Sequence, residues 1–228
     1  MSIRVVTDST CDLSQAEIEQ HGITVIPLYV NIDGQSYRDG VDLRRDEFYA
    51  RLPGCDGRMT TSAPGPGVFA DTYRRLADEG ATGIISLHLS SELSNVCQVA
   101  QMAAQEIPSV PVHVLDSGNI SLATGLAAMV AAEEAARGAP LPELIRKVNR
   151  CARRSYCYAV LNTVEHLRRS GRVSQIMSTL ATLVQIKPLI GFASGVVSIE
   201  RVRTLRSAMT RLLDKIGQLG NLSRLTVL

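Results

Sequence analysis

Tryptophan is absent from the sequence, and aromatic residues make up only 4% of it. Too few aromatic faces remain to stack a run of nucleobases. Charge favours nucleic acid no better: 24 Lys and Arg against 22 Asp and Glu leave a formal net charge of +2, without the basic excess that tracks a phosphate backbone. With only 4 histidines and no clustered carboxylates, neither a metal site nor a cofactor is expected. The five cysteines, Cys11, Cys55, Cys97, Cys151 and Cys157, are scattered and form no C-x-x-C pair. That usage fits a reducing cytoplasm rather than a disulfide framework.

Motifs are missing too. No G-x-G-x-x-G, Walker A, H-E-x-x-H or G-x-S-x-G occurs, so dinucleotide binding, phosphate-loop ATP hydrolysis, zinc hydrolysis and the α/β-hydrolase elbow all lack their signatures. The most apolar stretch, Ile120 to Ala136, is interrupted by Glu133 and Glu134 and is short for a bilayer; it reads as a buried core helix, and no stable membrane insertion is expected. Met1-Ser2-Ile3-Arg4 enters a strand directly, without the charged and apolar regions of a signal peptide.

What is present is a hydrophobic content of 45% over 228 residues, ample for a packed core in one large or two small domains. Three stretches repeat one pattern of strand, polar turn and helix: Val5-Val6 into Thr7-Asp8-Ser9-Thr10, Gly83 to His88 into Ser90-Ser91-Glu92-Leu93-Ser94, and Val112 to Leu115 into Asp116-Ser117 and Ser121. In a parallel sheet such loops gather at the carboxyl ends of the strands, where ligands bind. The helix after the serine loop places Leu93, Val96, Cys97 and Ala100 on one stripe, which would leave free N–H donors beside Ser90, Ser91 and Ser94 for a carboxylate or phosphate; plain helix capping reads the same serines. Thr60-Thr61-Ser62 adds a fourth hydroxyl run, read as a loop before a helix that Pro66 opens.

Local signals place the remaining elements. Ser14 and Glu17 have capping-box spacing, with Gly22 to end the helix. Ile23 to Ile32 is β-rich around Pro27, Asp33-Gly34 signals a hairpin, and Asp42 is expected to cap a helix from about Leu43 to Leu52. Beyond the linker-like Ala139-Pro140-Leu141-Pro142, a basic amphipathic helix buries Leu144, Ile145 and Val148 and turns Arg146, Lys147, Arg150, Arg153 and Arg154 outward. The expected fold is α/β in two domains. Residues 1–154 would form a three-layer domain with a mainly parallel sheet carrying the hydroxyl loops, and 155–228 a second α/β domain ending in a strand over Leu225 to Leu228. An esterase using Ser94 with His88 and Asp116 is the enzyme alternative.

The order and spacing of these groups resemble the DegV family of bacterial fatty-acid-binding proteins. The resemblance rests on Thr7-Asp8-Ser9 with Asp12-Leu13, Asp39-Gly40-Val41-Asp42, Thr60-Thr61-Ser62 with Pro64, and Ser90-Ser91 with Leu93-Ser94. It continues through Asp116-Ser117 with Ser121 and Gly125, Leu167 with Gly171-Arg172-Val173-Ser174, and Ile186-Lys187-Pro188-Leu189. It implies a lipid-binding subunit, not itself an enzyme, that holds a long-chain fatty acid in a buried tunnel. Thr61, Ser62 and Ser94 match hydroxyls that hold the carboxylate. A separate ATP-binding kinase subunit would phosphorylate that carboxylate to an acyl phosphate, with Arg172 matching an arginine near the partner and the head group. Departures stand at Ala63, Gly65 and Asn95, and family members continue beyond the position of Leu228 to a histidine that reaches the head group. The second domain is therefore expected to be incomplete, with dimerisation or reduced stability as the consequence.

Overall fold

The computed structural model describes residues 2–52, 59–163 and 186–228. In chain order the strands are β1 (Ile3–Asp8), β2 (Ile23–Ile26), β3 (Tyr29–Ile32), β4 (Gln35–Arg38), β5 (Met59–Ser62), β6 (Gly83–His88), β7 (Val112–Asp116), β8 (Cys157–Val160), β9 (Leu189–Ala193) and β10 (Val196–Glu200). The helices are α1 (Gln15–His21), α2 (Arg45–Arg51), α3 (Pro66–Asp78), α4 (Val96–Gln105), α5 (Leu122–Ala136), α6 (Leu141–Arg153) and α7 (Leu205–Gln218).

A parallel sheet in the order β2-β1-β6-β7 forms the centre. Side chains alternate across a strand, and the sequence uses both faces. Val6 and Ile84 pack with Phe69, Tyr73, Val96 and Ala100 of α3 and α4, while Val5, Ile85 and Leu87 pack with Ala127, Ala131 and Leu144 of α5 and α6. All six residues of β6 are buried, as a strand covered on both faces must be. Helix α5 is apolar around most of its circumference because it lies between the sheet and α6, with nine of its residues buried.

Several local expectations hold. Ser14 and Glu17 form the reciprocal capping box, and Gly22 ends α1 in the left-handed conformation. Asp33 and Gly34, both at positive φ, turn β3 into β4. Others are corrected. The β-rich run from Ile23 to Ile32 is two strands in two sheets, because Pro27 has no N–H to continue a ladder: β2 joins the parallel sheet, whereas β3 is the middle of an antiparallel sheet β4-β3-β5. Thr60-Thr61-Ser62 is therefore strand β5, paired with Tyr29–Asn31, and not a loop. Asp42 does not cap α2; it binds the Arg38 backbone N–H and guanidinium, and Arg44 occupies the cap position.

Helix α4 begins at Val96 with Asn95 at its cap, so Leu93 and Ser94 precede it and no serine side chain caps it. The third sheet, β10-β9-β8, is antiparallel. Its Ser194-Gly195 turn docks on the loop after β7, where Gly195 N–H donates to the Gly118 carbonyl at 2.8 Å. Gly118 stands at φ +59, and a Cβ there would strike Gly195 N at 2.6 Å, so this approach needs glycine. Leu225 to Leu228 is irregular and exposed rather than a strand. The helices expected around Leu167 and from Ile176 to Val184 lie outside the described residues, as does Arg172.

Candidate ligand site

The first turn after β1 is organised by Asp8. Its Oδ1 accepts from Thr10 N–H at 3.1 Å and the Thr10 hydroxyl at 2.5 Å. Its Oδ2 accepts from Leu89 N–H at 3.2 Å and faces His88 Nδ1 at 2.9 Å. Burial raises the Asp8 pKa, but the hydrogen bond and charge of His88, then Thr10 and Leu89, outweigh it and leave the carboxyl below its usual range. On the other side of the ring, His88 Nε2 is 2.7 Å from Ser86 Oγ, which is 2.7 Å from the Tyr73 hydroxyl. Asp8, His88, Ser86 and Tyr73 are all without exposed surface.

That network settles the esterase alternative. Both nitrogens of His88 are engaged by Asp8 and Ser86, and Asp116 binds Ser91 and Gly118 N–H. Ser94, half-buried ahead of α4, bonds to neither. The predicted triad is not assembled, and the Asp8–His88–Ser86 series is closed to any substrate.

Further along the same turn, Ser9 Oγ accepts from Leu28 N–H at 3.1 Å, which leaves its own proton to donate. Asp12, at φ 54, pairs with Arg45 and accepts from Ser121 Oγ at 2.5 Å. Ser121 itself stands at φ 60, ψ −149, a conformation that costs a non-glycine residue about 1–3 kcal/mol and is found where surrounding contacts impose it. The Asp12 bond is one such contact, and the Thr124 and Gly125 N–H groups donating to the Ser121 carbonyl hold the backbone as well. The first and third hydroxyl loops are thereby brought together, as expected of parallel-strand ends.

These residues open onto a cavity of about 2010 Å³. Leu122, Leu126, Met129 and Val130 of α5 form one wall, and Phe48, Tyr49 and Leu52 from α2 and its end form another. Tyr156 and Tyr158, stacked at 6.4 Å, contribute from β8 and the residue before it. Ser9, Thr10, Thr61 and Ser121 are the hydroxyl residues on this side of the lining. A site that is mostly apolar with a few convergent polar groups suits a long hydrocarbon chain carrying a small polar head.

Of the expected head-group residues, Thr61 lines this cavity. Alternation along β5 turns Ser62 to the opposite face from Thr61, where its hydroxyl accepts from Asn31 Nδ2 at 3.3 Å. Ser62 and Ser94 are not among the lining residues. The serine loop instead ties β6 to β7 through the bond from Ser91 to Asp116 at 2.5 Å. The α5 wall was legible as an apolar helix, but a helix apolar on every side does not announce which side faces a cavity. Among the described residues no three His, Cys, Asp or Glu side chains group as metal ligands, and no helix is long and apolar enough to cross a membrane.

The comparisons with known proteins point the same way. The family model for the uncharacterised DegV proteins matches residues 2–228. A DegV domain-containing protein of Streptomyces coelicolor is 38% identical over 215 residues, covering 92% of this chain and 74% of that one. The solved structure of a Thermus thermophilus DegV family protein, described by its fatty acid binding, is 33% identical with a TM-score of 0.83, over 96% of this chain and 78% of the other. DegV from Bacillus subtilis, described as a fatty acid binding protein, is 30% identical with a TM-score of 0.88 over the same shares. Motif order, sheet topology and a match spanning residues 2–228 therefore agree, and the chain belongs to the DegV family.

Proposed function

We propose that this chain binds one long-chain fatty acid in the cavity, holds its carboxylate with hydroxyls, and presents it in the cytoplasm to a separate kinase that makes the acyl phosphate. The observation that carries the reading is Thr61 on the wall of a large, mostly apolar cavity, in a chain whose solved relatives are described as fatty acid binding proteins. Ser62 and Ser94 are the further hydroxyls proposed for the carboxylate, and Arg172 the arginine facing the kinase. Residues 1–154 would act as the domain carrying the hydroxyl loops, with 155–228 as the second.

The energetics divide the work. Each buried methylene is worth about 0.8 kcal/mol, so a long chain supplies on the order of 10 kcal/mol, against roughly 1.5 to 3 for a hydrogen bond to a charged head. The tail supplies affinity, and the head sets orientation. A carboxylate held by neutral hydroxyls stays free to attack a γ-phosphate that a kinase brings with Mg²⁺.

Mass spectrometry of organic extracts from the purified protein, beside Thr61→Ala and Ser94→Ala, tests the binding step. Stoichiometric fatty acid in the parent protein is expected, with retention in the variants but slower phosphorylation once a kinase subunit and ATP are added. An apo parent protein that also fails to take up palmitate would overturn the reading.

A further inference from the structure

The hydroxyls around the first turn differ in what they offer a ligand, because their partners fix the direction of each hydrogen bond. An ionised carboxylate only accepts, so Thr10 must donate to Asp8 and Ser121 must donate to Asp12. Both protons are spent inside the protein, and those two hydroxyls keep only lone pairs for the cavity. Ser9 is arranged the other way. Its Oγ accepts from Leu28 N–H at 3.1 Å and makes no other hydrogen bond among the described residues, so its proton remains to be donated, and Ser9 lines the cavity. Its position follows from the same bond. Leu28 precedes β3, whose Val30 pairs with Thr61, so Ser9 and Thr61 approach the cavity beside the same end of β3. The turn that carries Ser9 is fixed from beneath by the buried Asp8, which takes the Thr10 N–H and hydroxyl on one oxygen and faces His88 with the other.

Charge on this wall does not favour an anion. The charged residues lining it are Asp12, Arg45 and Asp39. The first two pair with each other, and Asp39 makes no ion pair among the described residues. Asp39 also stands close to Ser9, since its N–H donates to the carbonyl of the same Leu28 at 2.8 Å. An anion on this wall is therefore held by hydrogen-bond donors. We propose that Ser9 donates to the fatty-acid carboxylate, a head-group contact beside Thr61 that neither Thr10 nor Ser121 can make. The inference rests on the fatty-acid reading and names a residue for it. A hydroxyl that already accepts an N–H bond is polarised toward donation, and a bond to a charged acceptor is roughly twice as strong as one to a neutral acceptor. Arg45 is committed to Asp12 and Asp39 adds repulsion, so a carboxylate held by Ser9 stays nucleophilic toward a γ-phosphate.

Calorimetry on the delipidated full chain, with palmitate and methyl palmitate as probes, tests the contact. Methyl palmitate keeps the tail and a carbonyl acceptor but lacks the charge. Ser9→Ala should weaken palmitate about ten-fold or more and methyl palmitate by much less, so that the ratio of the two affinities falls. Damage to the turn would instead lower both alike. Asp39→Asn removes the repulsion and keeps the backbone bond to Leu28; it should tighten palmitate about two- to five-fold and leave methyl palmitate where it was. Palmitate affinity unchanged in Ser9→Ala, or an equal loss for both probes, would overturn the role of Ser9 and leave the fatty-acid reading standing, as would palmitate binding that Asp39→Asn weakens. A parent protein that takes up neither probe would sink the fatty-acid reading, and the role of Ser9 with it.

Discussion

His88 Nδ1 lies 2.9 Å from Asp8 Oδ2, and neither side chain has any exposed surface. The carboxylate is buried without a lysine or arginine against it, so its charge is carried by His88, Thr10 and Leu89 N–H. Removing one partner leaves that charge underbonded in the core. His88→Ala should destabilise the protein by about 3 to 5 kcal/mol, read from urea unfolding at neutral pH. A loss under 1 kcal/mol would mean that water or another group takes the histidine's place.

The same pair sets a pH dependence. Because the folded Asp8 carboxyl is held below its usual range, the unfolded chain takes up its proton first as the pH drops. The stabilisation is complete above the unfolded pKa of about 4 and disappears as pH falls through the lower folded value. In Asp8→Asn this component should be missing, so the stability gap between parent and variant should narrow from pH 6 to pH 3. A gap independent of pH would assign the loss to packing.

Backbone fit at two glycines gives opposite expectations. A Cβ on Gly125 would collide with the Cys11 carbonyl and with Leu13, so Gly125→Ala should cost about 1 to 3 kcal/mol through forced displacement of backbone. Gly217, in α7 with open space around it, should accept alanine and gain about 0.5 to 1 kcal/mol. Thermal melts of the two variants should therefore move in opposite directions.

Ser121 combines a glycine-like conformation with a hydrogen bond to Asp12. Ser121→Ala loses the bond and keeps the strain, whereas Ser121→Gly loses the bond and relieves it. The alanine variant should be the less stable by about 1 to 2 kcal/mol. The reverse order would show that the backbone at Ser121 holds little strain, the entropy that glycine adds to the unfolded chain then outweighing its relief.

Thiol chemistry reports on the cavity directly. Burial raises the pKa of Cys151 and Cys157, which line it, and pushes Cys11 and Cys97 up to about 11 and about 12. Alkylation at pH 8 should be slow at Cys151 and Cys157, slower again with palmitate present, and absent at Cys11 and Cys97 until the protein unfolds. Labelling of Cys151 and Cys157 that palmitate leaves untouched would place the chain elsewhere.

How much of this could be read in advance depends on the range of the interaction. The capping box of Ser14 and Glu17, the Asp33-Gly34 turn, the apolar character of α5 and the strand-turn-helix units all follow from contacts within a few residues, and the sequence alone determined them. The order of its motifs was enough to point to the DegV family. Tertiary structure decided the rest: that Pro27 divides one apolar run between two sheets, that β5 and not a loop carries Thr61, and that strand alternation turns Ser62 away from it. It also decided that His88 meets Asp8, 80 residues distant, instead of Ser94 close by. Periodicity and turn chemistry are local properties of a chain. Which hydroxyl faces the cavity, and which charge stands beside a histidine, depend on sheet order and register, which only the assembled core specifies.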